Sequence, residues 1–164
     1  MKKLIFLVIV LTCFSFAAFA QLGVGGAALF KSPVLIAQPI DTDKLAINQF
    51  SFGGDLRLKI SEFQVEALLL YSAGNYNSIT AYFDAGIAID VAMIRLSAGA
   101  GPNFTGNFGR SPATQIGLNA KIGAEIVLEQ ISAGLSYIMV LNIDDGIDIA
   151  TSSGLLGATV LFWL

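Results

Sequence analysis

The sequence predicts an all-β protein: an eight-stranded antiparallel up-and-down transmembrane β-barrel that follows a cleaved signal peptide. Three observations carry the prediction. The first is an alternation of period two, clearest in residues 114–126. There Ile116, Leu118, Ala120, Ile122, Ala124 and Ile126 alternate with Gln115, Gly117, Asn119, Lys121, Gly123 and Glu125. That period belongs to a strand with one apolar and one polar face, and the segment is long enough to cross a bilayer at a tilt. The second is composition. The chain is 55% hydrophobic and 13% charged, against about 25% charged in ordinary soluble domains. Yet no uncharged apolar run beyond the N-terminus reaches the roughly 18 residues that a spanning helix needs. The third is a long–short alternation in the connections, the pattern of a meander elaborated at one end.

The first 20 residues read as an export signal. Lys2 and Lys3 supply the positive start, Leu4–Leu11 the apolar stretch, and Ala18-Phe19-Ala20 a small-residue cleavage site before Gln21. An uncleaved anchor and lipidation at Cys13 are the alternatives, and the better cleavage site favours neither. The expected domain is therefore 21–164. Cleavage removes the only cysteine and two lysines, leaving 7 basic against 12 acidic residues, a net charge of −5. Disulfides are then excluded, and nucleic acid or an anionic surface is disfavoured as an electrostatic partner.

Eight strand-like segments follow, at about 21–30, 49–60, 63–71, 78–90, 91–101, 113–127, 130–141 and 154–164. The connection 31–48 is long, Ser61-Glu62 is very short, and 72–77 is moderate. The turn near Asp90-Val91 is minimal, 102–112 is long, Leu128-Glu129 is short, and 142–153 is long. In the second segment Phe50, Phe52, Leu56, Leu58 and Ile60 oppose Gln49, Ser51, Asp55, Arg57 and Lys59. In the fourth, Ile79, Ala81, Phe83, Ala85, Ile87 and Ile89 oppose Thr80, Tyr82, Asp84, Gly86 and Ala88. In the fifth, Ala92, Ile94, Leu96, Ala98 and Ala100 oppose Arg95, Ser97 and Gly99, and in the seventh Ile131, Ala133, Leu135, Tyr137 and Met139 oppose Ser132, Gly134 and Ser136. The first, third and eighth are less clean; the third carries Gln64 and Glu66 on one face together with Leu68 and Leu70.

A Lys or Arg facing lipid near the bilayer midplane costs about 2–4 kcal/mol, so the charged face should point inward. The expected interior is Asp55, Arg57, Lys59, Glu66, Asp84, Arg95, Lys121 and Glu125, four acids and four bases. A barrel of this size is filled by its own side chains, and charges confined there must be paired. Gly86, Gly99, Gly117, Gly123 and Gly134 share the polar face, and small residues beside large ones fill a tight lumen. The last segment alternates through Leu156, Ala158, Val160, Phe162 and Leu164 to the carboxyl terminus.

In this pattern of strands, loops and a terminal amphipathic strand, the chain resembles the small eight-stranded bacterial outer-membrane barrels of the OmpA/OmpX type. The resemblance covers the whole mature chain and rests on architecture, not on a residue motif. It implies a cell-outer-membrane location, outer-membrane lipid as environment, recognition of the last strand by the barrel assembly machinery, and a monomer. Such barrels commonly end in an aromatic residue, whereas this chain ends Phe162-Trp163-Leu164.

Chemistry is constrained by absence. The chain has no histidine, which removes Ser–His triads, histidine bases and histidine metal ligands. Outer-membrane barrels that deacylate or acylate lipid A use histidine, so likeness of shape carries none of their activity. No cofactor is expected. The interior carboxylates are read as a salt-bridge core, with a proton or ion path as the sharper alternative. Asn142, Asp144, Asp145 and Asp148 gather calcium-type oxygens, but lack the EF-hand order and its closing glutamate, and Asp-Gly is an ordinary turn signal. Phe104 and Phe108, within the expected loop 102–112, are candidate loop contacts for a surface partner or rim-packing residues. The loop 31–48 is unusually apolar, with Val34, Leu35, Ile36, Ile40, Leu45 and Ile47. The function expected is a non-enzymatic membrane barrel with a structural or surface-interaction role through its loops. One alternative is a narrow pore or transporter of small or hydrophobic solutes. Another is a soluble periplasmic lipocalin-like binder of an apolar ligand, in which the faces would be reversed.

Overall fold

The computed structural model describes residues 20–33, 49–73, 77–108, 113–142 and 153–164. Its eight strands are β1 (Ala20–Pro33), β2 (Phe50–Ile60), β3 (Phe63–Ser72), β4 (Asn77–Val91), β5 (Ile94–Phe108), β6 (Ala113–Leu128), β7 (Ile131–Asn142) and β8 (Ser153–Trp163). Each pairs antiparallel with its sequence neighbours, and β1 pairs with β8, so the sheet closes into a barrel with no free edge. Closure matters in lipid, where an unpaired backbone edge has no water to satisfy it. The strands run 10 to 16 residues, and about 9–11 suffice to span a bilayer at a tilt.

Three connections are two-residue turns: Ser61-Glu62, Ala92-Met93 and Glu129-Gln130. The first residue of each adopts a left-handed backbone, with φ of 56° at Ser61, 55° at Ala92 and 51° at Glu129. None is glycine, so each turn carries local steric strain that the flanking ladders offset. These turns and both strand termini, Ala20 and Trp163, lie at one end of the barrel, here the turn end. The other four connections emerge at the loop end.

Burial is inverted relative to a soluble domain. The side chains facing away from the barrel axis are apolar and open: Leu56 is 47% exposed, Ile122 61% and Leu135 63%. Arg57, by contrast, is 1% exposed. A continuous apolar exterior of this extent belongs against hydrocarbon. Aromatic rings gather on the outer face toward the loop end. Phe30 and Phe50 lie 5.3 Å apart and Phe50 stacks on Phe52 at 6.1 Å, while Phe83 meets Phe104 edge-on at 6.1 Å. This is the composition of an interfacial girdle.

Three strand boundaries depart from expectation. The turn expected near Asp90-Val91 falls at Ala92-Met93, so β5 starts at Ile94 and not at 91. β1 continues to Pro33, and its extra residues Lys31, Ser32 and Pro33 pair with Leu155, Gly154 and Ser153 of β8. β5 runs to Phe108, well past the point where Pro102, Asn103 and Gly106 signal a loop. The β4–β5 pairing lapses at Phe83 and Asp84 opposite Gly101 and Pro102, then resumes in the same register at Tyr82 and Asn103. A proline lacks the N–H for one ladder bond, and a local gap accommodates it while β6 still pairs along the far side, Pro102 against Leu118.

Candidate functional site

Among the described residues the buried charged side chains lie inside the barrel, and pairing register determines which of them meet. Across β2–β3, Arg57 stands opposite Glu66, and across β3–β4 Glu66 stands opposite Asp84. Across β5–β6, Arg95 stands opposite Glu125. Glycines stand beside the long side chains: Gly23 beside Arg57, Gly25 beside Asp55, Gly86 beside Gln64, Gly99 beside Lys121 and Gly134 beside Glu125. A Cβ at Gly25, Gly86 or Gly134 would strike a carbonyl oxygen of an adjoining strand, that of Val160, Ala98 or Ala124. Gly23 shows the tightness, since a Cβ there would meet the Trp163 ring at 3.0 Å.

Arg57 is the hub of the middle layer. Its Nη2 donates to Asp55 Oδ2 at 2.7 Å, its Nε to both Asp55 oxygens at 3.1 and 3.2 Å, and its Nη1 to Glu125 Oε1. Nε also lies 3.3 Å from Glu66 Oε2, and Nη2 donates to Thr159 Oγ1 at 3.4 Å. Lys121 Nζ donates to Glu66 Oε1. Like charges directly opposite repel, and the Glu66–Asp84 juxtaposition is resolved by partners from β6: Lys121 on Glu66 and Asn119, whose amide donates to Asp84 Oδ1.

A second cluster sits at the turn end. Asp90 accepts from Lys59 Nζ at 3.0 Å and from Arg95 Nε at 2.6 Å and Nη2 at 3.1 Å. Arg95 also donates to Gln21 Oε1 at 3.3 Å, and its guanidinium carbon lies 4.4 Å from the Trp163 ring centroid. Trp163 Nε1 donates to Ser132 Oγ at 2.9 Å, and Ser132 Oγ donates to Glu125 Oε2 at 3.0 Å. The two charged clusters are thus joined through the last strand.

The loop half of the lumen is different. Ala27, Leu29, Leu68, Leu70, Tyr82, Ile138 and Leu155 close on one another there, with Leu29 and Ile138 fully buried. Above them hydroxyl pairs join Ser51 with Ser72 at 2.6 Å and Thr80 with Thr105 at 2.9 Å.

All eight charged residues expected inside are buried and face the lumen. Their balance is not the expected four against four. Asp90, read from sequence as part of a turn, faces the lumen with a side chain 40% exposed, and binds both Lys59 and Arg95. Its position two residues from Ala88 on the polar face was the signal that could have found it. Asp84 in consequence has no cationic partner among the described residues. Phe104 and Phe108 belong to β5, not to a loop, and both face outward, 41% and 61% exposed. Asn142 ends β7, while Asp144, Asp145 and Asp148 lie outside the described residues. No group of three or more His, Cys, Asp or Glu that could hold a metal ion occurs among the described residues. The apolar part of loop 31–48, from residue 34 onward, also lies outside them.

No family model matches the sequence, and no curated protein does. Solved structures do. The N-terminal β-barrel domain of Pseudomonas aeruginosa OprF matches with a TM-score of 0.58 at 14% identity, covering 87% of this chain and 97% of that one. Ail, the attachment invasion locus protein of Yersinia pestis, matches with a TM-score of 0.57 at 11% identity, covering 88% of this chain and 97% of that one. Identities this low speak to fold alone. Together with the closed eight-stranded meander they define the class: a small transmembrane barrel of the outer-membrane, OmpA/OmpX-like architecture.

Proposed function

We propose that this protein is a non-enzymatic, monomeric barrel of the bacterial outer membrane, whose role is structural or lies in surface contacts made by the four connections at its loop end. One observation carries the reading: the lumen is filled twice over, by ion pairs in the turn half and by apolar side chains in the loop half. A filled lumen supports neither a wide pore nor a substrate cleft. It leaves the loop end as the part free to vary, and loops on a rigid scaffold are where binding residues concentrate. The name of the fold neighbour Ail, an attachment invasion locus protein, fits a surface role without assigning one here.

The lumen contents also weigh against the alternatives. A lipocalin-like binder needs an apolar interior and a charged exterior, whereas Arg57, Lys59 and Lys121 are buried and the exterior is apolar. A narrow conduction path would have to pass Leu29, Leu68 and Ile138, none of which is more than 1% exposed. Catalysis lacks a base of the usual kind, since the chain has no histidine. Lipid and the barrel assembly machinery, the latter reading the strand that ends in Phe162, Trp163 and Leu164, are the partners this reading requires. Residues 1–20 serve it as the export signal.

Cell fractionation with an unboiled gel tests the placement. The expected result is an outer-membrane band that shifts on boiling; a soluble periplasmic band without a shift contradicts it. Exchanging each loop-end connection for a short glycine-serine turn then tests the role. Binding to host or bacterial surfaces should fall while the heat-modifiable barrel persists.

A further inference from the structure

Among the described residues the lumen contains five carboxylates, Asp55, Glu66, Asp84, Asp90 and Glu125, and four cations, Arg57, Lys59, Arg95 and Lys121. Every cation is engaged by carboxylates other than Asp84. Asp84 is 6% exposed; its Oδ1 accepts from Asn119, and its Oδ2 has no partner. On the neighbouring strand Gln64 is also 6% exposed, and its Oε1 has no partner. Both residues line one cavity of about 10 Å³, with Glu66, Ser97 and Lys121 also on its wall. That volume suits one water-sized guest.

The cavity exists because two facing positions carry no side chain. Gly86 and Gly99 are register partners on β4 and β5. A Cβ on Gly86 would run into the carbonyl oxygen of Ala98, and one on Gly99 would come within 3.6 Å of Asp84 Cβ. Glycine at 86 is therefore required by the backbone, and glycine at 99 leaves room beside Asp84.

We propose that this cavity binds one sodium ion, with Asp84 Oδ2 as the charged ligand and Gln64 Oε1 and Ser97 Oγ as neutral ones. A buried carboxylate with neither a counter-charge nor a full set of donors is costly in a low-dielectric interior. A guest that brings positive charge to two unpartnered acceptors removes both deficits. The donors are hard oxygens, which suit a small hard cation. A single surplus negative charge calls for one positive charge, and among the described residues no set of three acidic ligands is present for a divalent ion. The groups facing the cavity region are Glu66 from β3 and Lys121 from β6, with Arg57 and Asp55 beyond them on β2. Lys121 repels the guest least where it stands, because its ammonium is already held by Glu66. The inference is independent of what the loops contact.

The test uses the full mature barrel refolded in zwitterionic detergent. The midpoint of heat unfolding is followed on unboiled gels at fixed pH and ionic strength, with sodium chloride exchanged for choline chloride. Sodium at about ten times its dissociation constant should raise the midpoint by roughly 3–5 °C, saturably. In Asp84→Asn the sodium increment should vanish, and in choline that variant should melt no lower than the wild type. Independently of that variant's folding, the wild-type barrel should broaden the ²³Na NMR line, and Gln64→Met should weaken the effect. Equal midpoints in sodium and choline with no ²³Na broadening would overturn the proposal. If acidification raises the midpoint while sodium and choline give equal midpoints at every pH, a proton on Asp84 takes the ion's place, and the sodium site is equally overturned.

Discussion

The two halves of the lumen are filled by opposite chemistries. In the turn half, Arg57 gathers Asp55, Glu66 and Glu125, while Asp90 gathers Lys59 and Arg95. In the loop half, Leu29, Leu68, Leu70, Ile138 and Leu155 meet side to side. The first arrangement is specific, because each long charged group needs a partner in a particular place, and Arg57, Lys121 and Glu125 also need the glycine beside them. The second is tolerant, because apolar groups pack by volume and not by pairing. The charged half therefore sets the register of the barrel, and the apolar half seals it without adding a further constraint.

Substitutions can break this contrast or sharpen it. The largest effect is expected from Arg57→Met, which strips the cation from three buried carboxylates. Breaking a buried pair costs about 3–5 kcal/mol, so urea unfolding in micelles should show a loss of that order; a loss below about 1 kcal/mol would mean the hub is dispensable. Leu68→Ala should cost about 2–4 kcal/mol through the cavity it leaves. A conservative Leu68→Met should cost under about 1.5 kcal/mol, whereas no cation swap at position 57 should be so mild. Trp163→Phe removes the hydrogen bond to Ser132 and weakens the contact with Arg95. Its cost should be about 1–2 kcal/mol, most visible as faster unfolding if β8 detaches first. The smallest effect is a gain: Ala92→Gly relieves the left-handed backbone of the β4–β5 turn and should stabilise by up to about 1 kcal/mol.

Most of the turn half was legible in the sequence, because charges at alternate positions cannot face lipid and must face inward. The third strand was the warning about the loop half. Gln64 and Glu66 share their face with Leu68 and Leu70, and that mixture is the boundary between the two lumen layers, seen along one strand. Period-two reading treats a face as uniform and so missed the change along its length. Asp90 was missed because a residue beside a tight turn gives no cue to its face. Pro102 and its neighbouring glycines and asparagines are turn-forming residues and predict a loop at Phe104 and Phe108, yet pairing with β6 as far as Asn107, and of Phe108 with Asn77 of β4, overrides local preference. A count of four acids against four bases omits Asp90, and with Asp90 paired to Lys59 and Arg95 the carboxylate left over is Asp84.

The central claim is that the barrel is sealed by two stacked layers, and single-channel recording tests it most directly. The refolded protein in planar bilayers should show no stepwise conductance, and Leu68→Ala should remain silent because the charged layer still closes the turn half. Stable, ohmic conductance steps from the wild-type barrel would contradict the account, and would return the protein to the class of narrow pores.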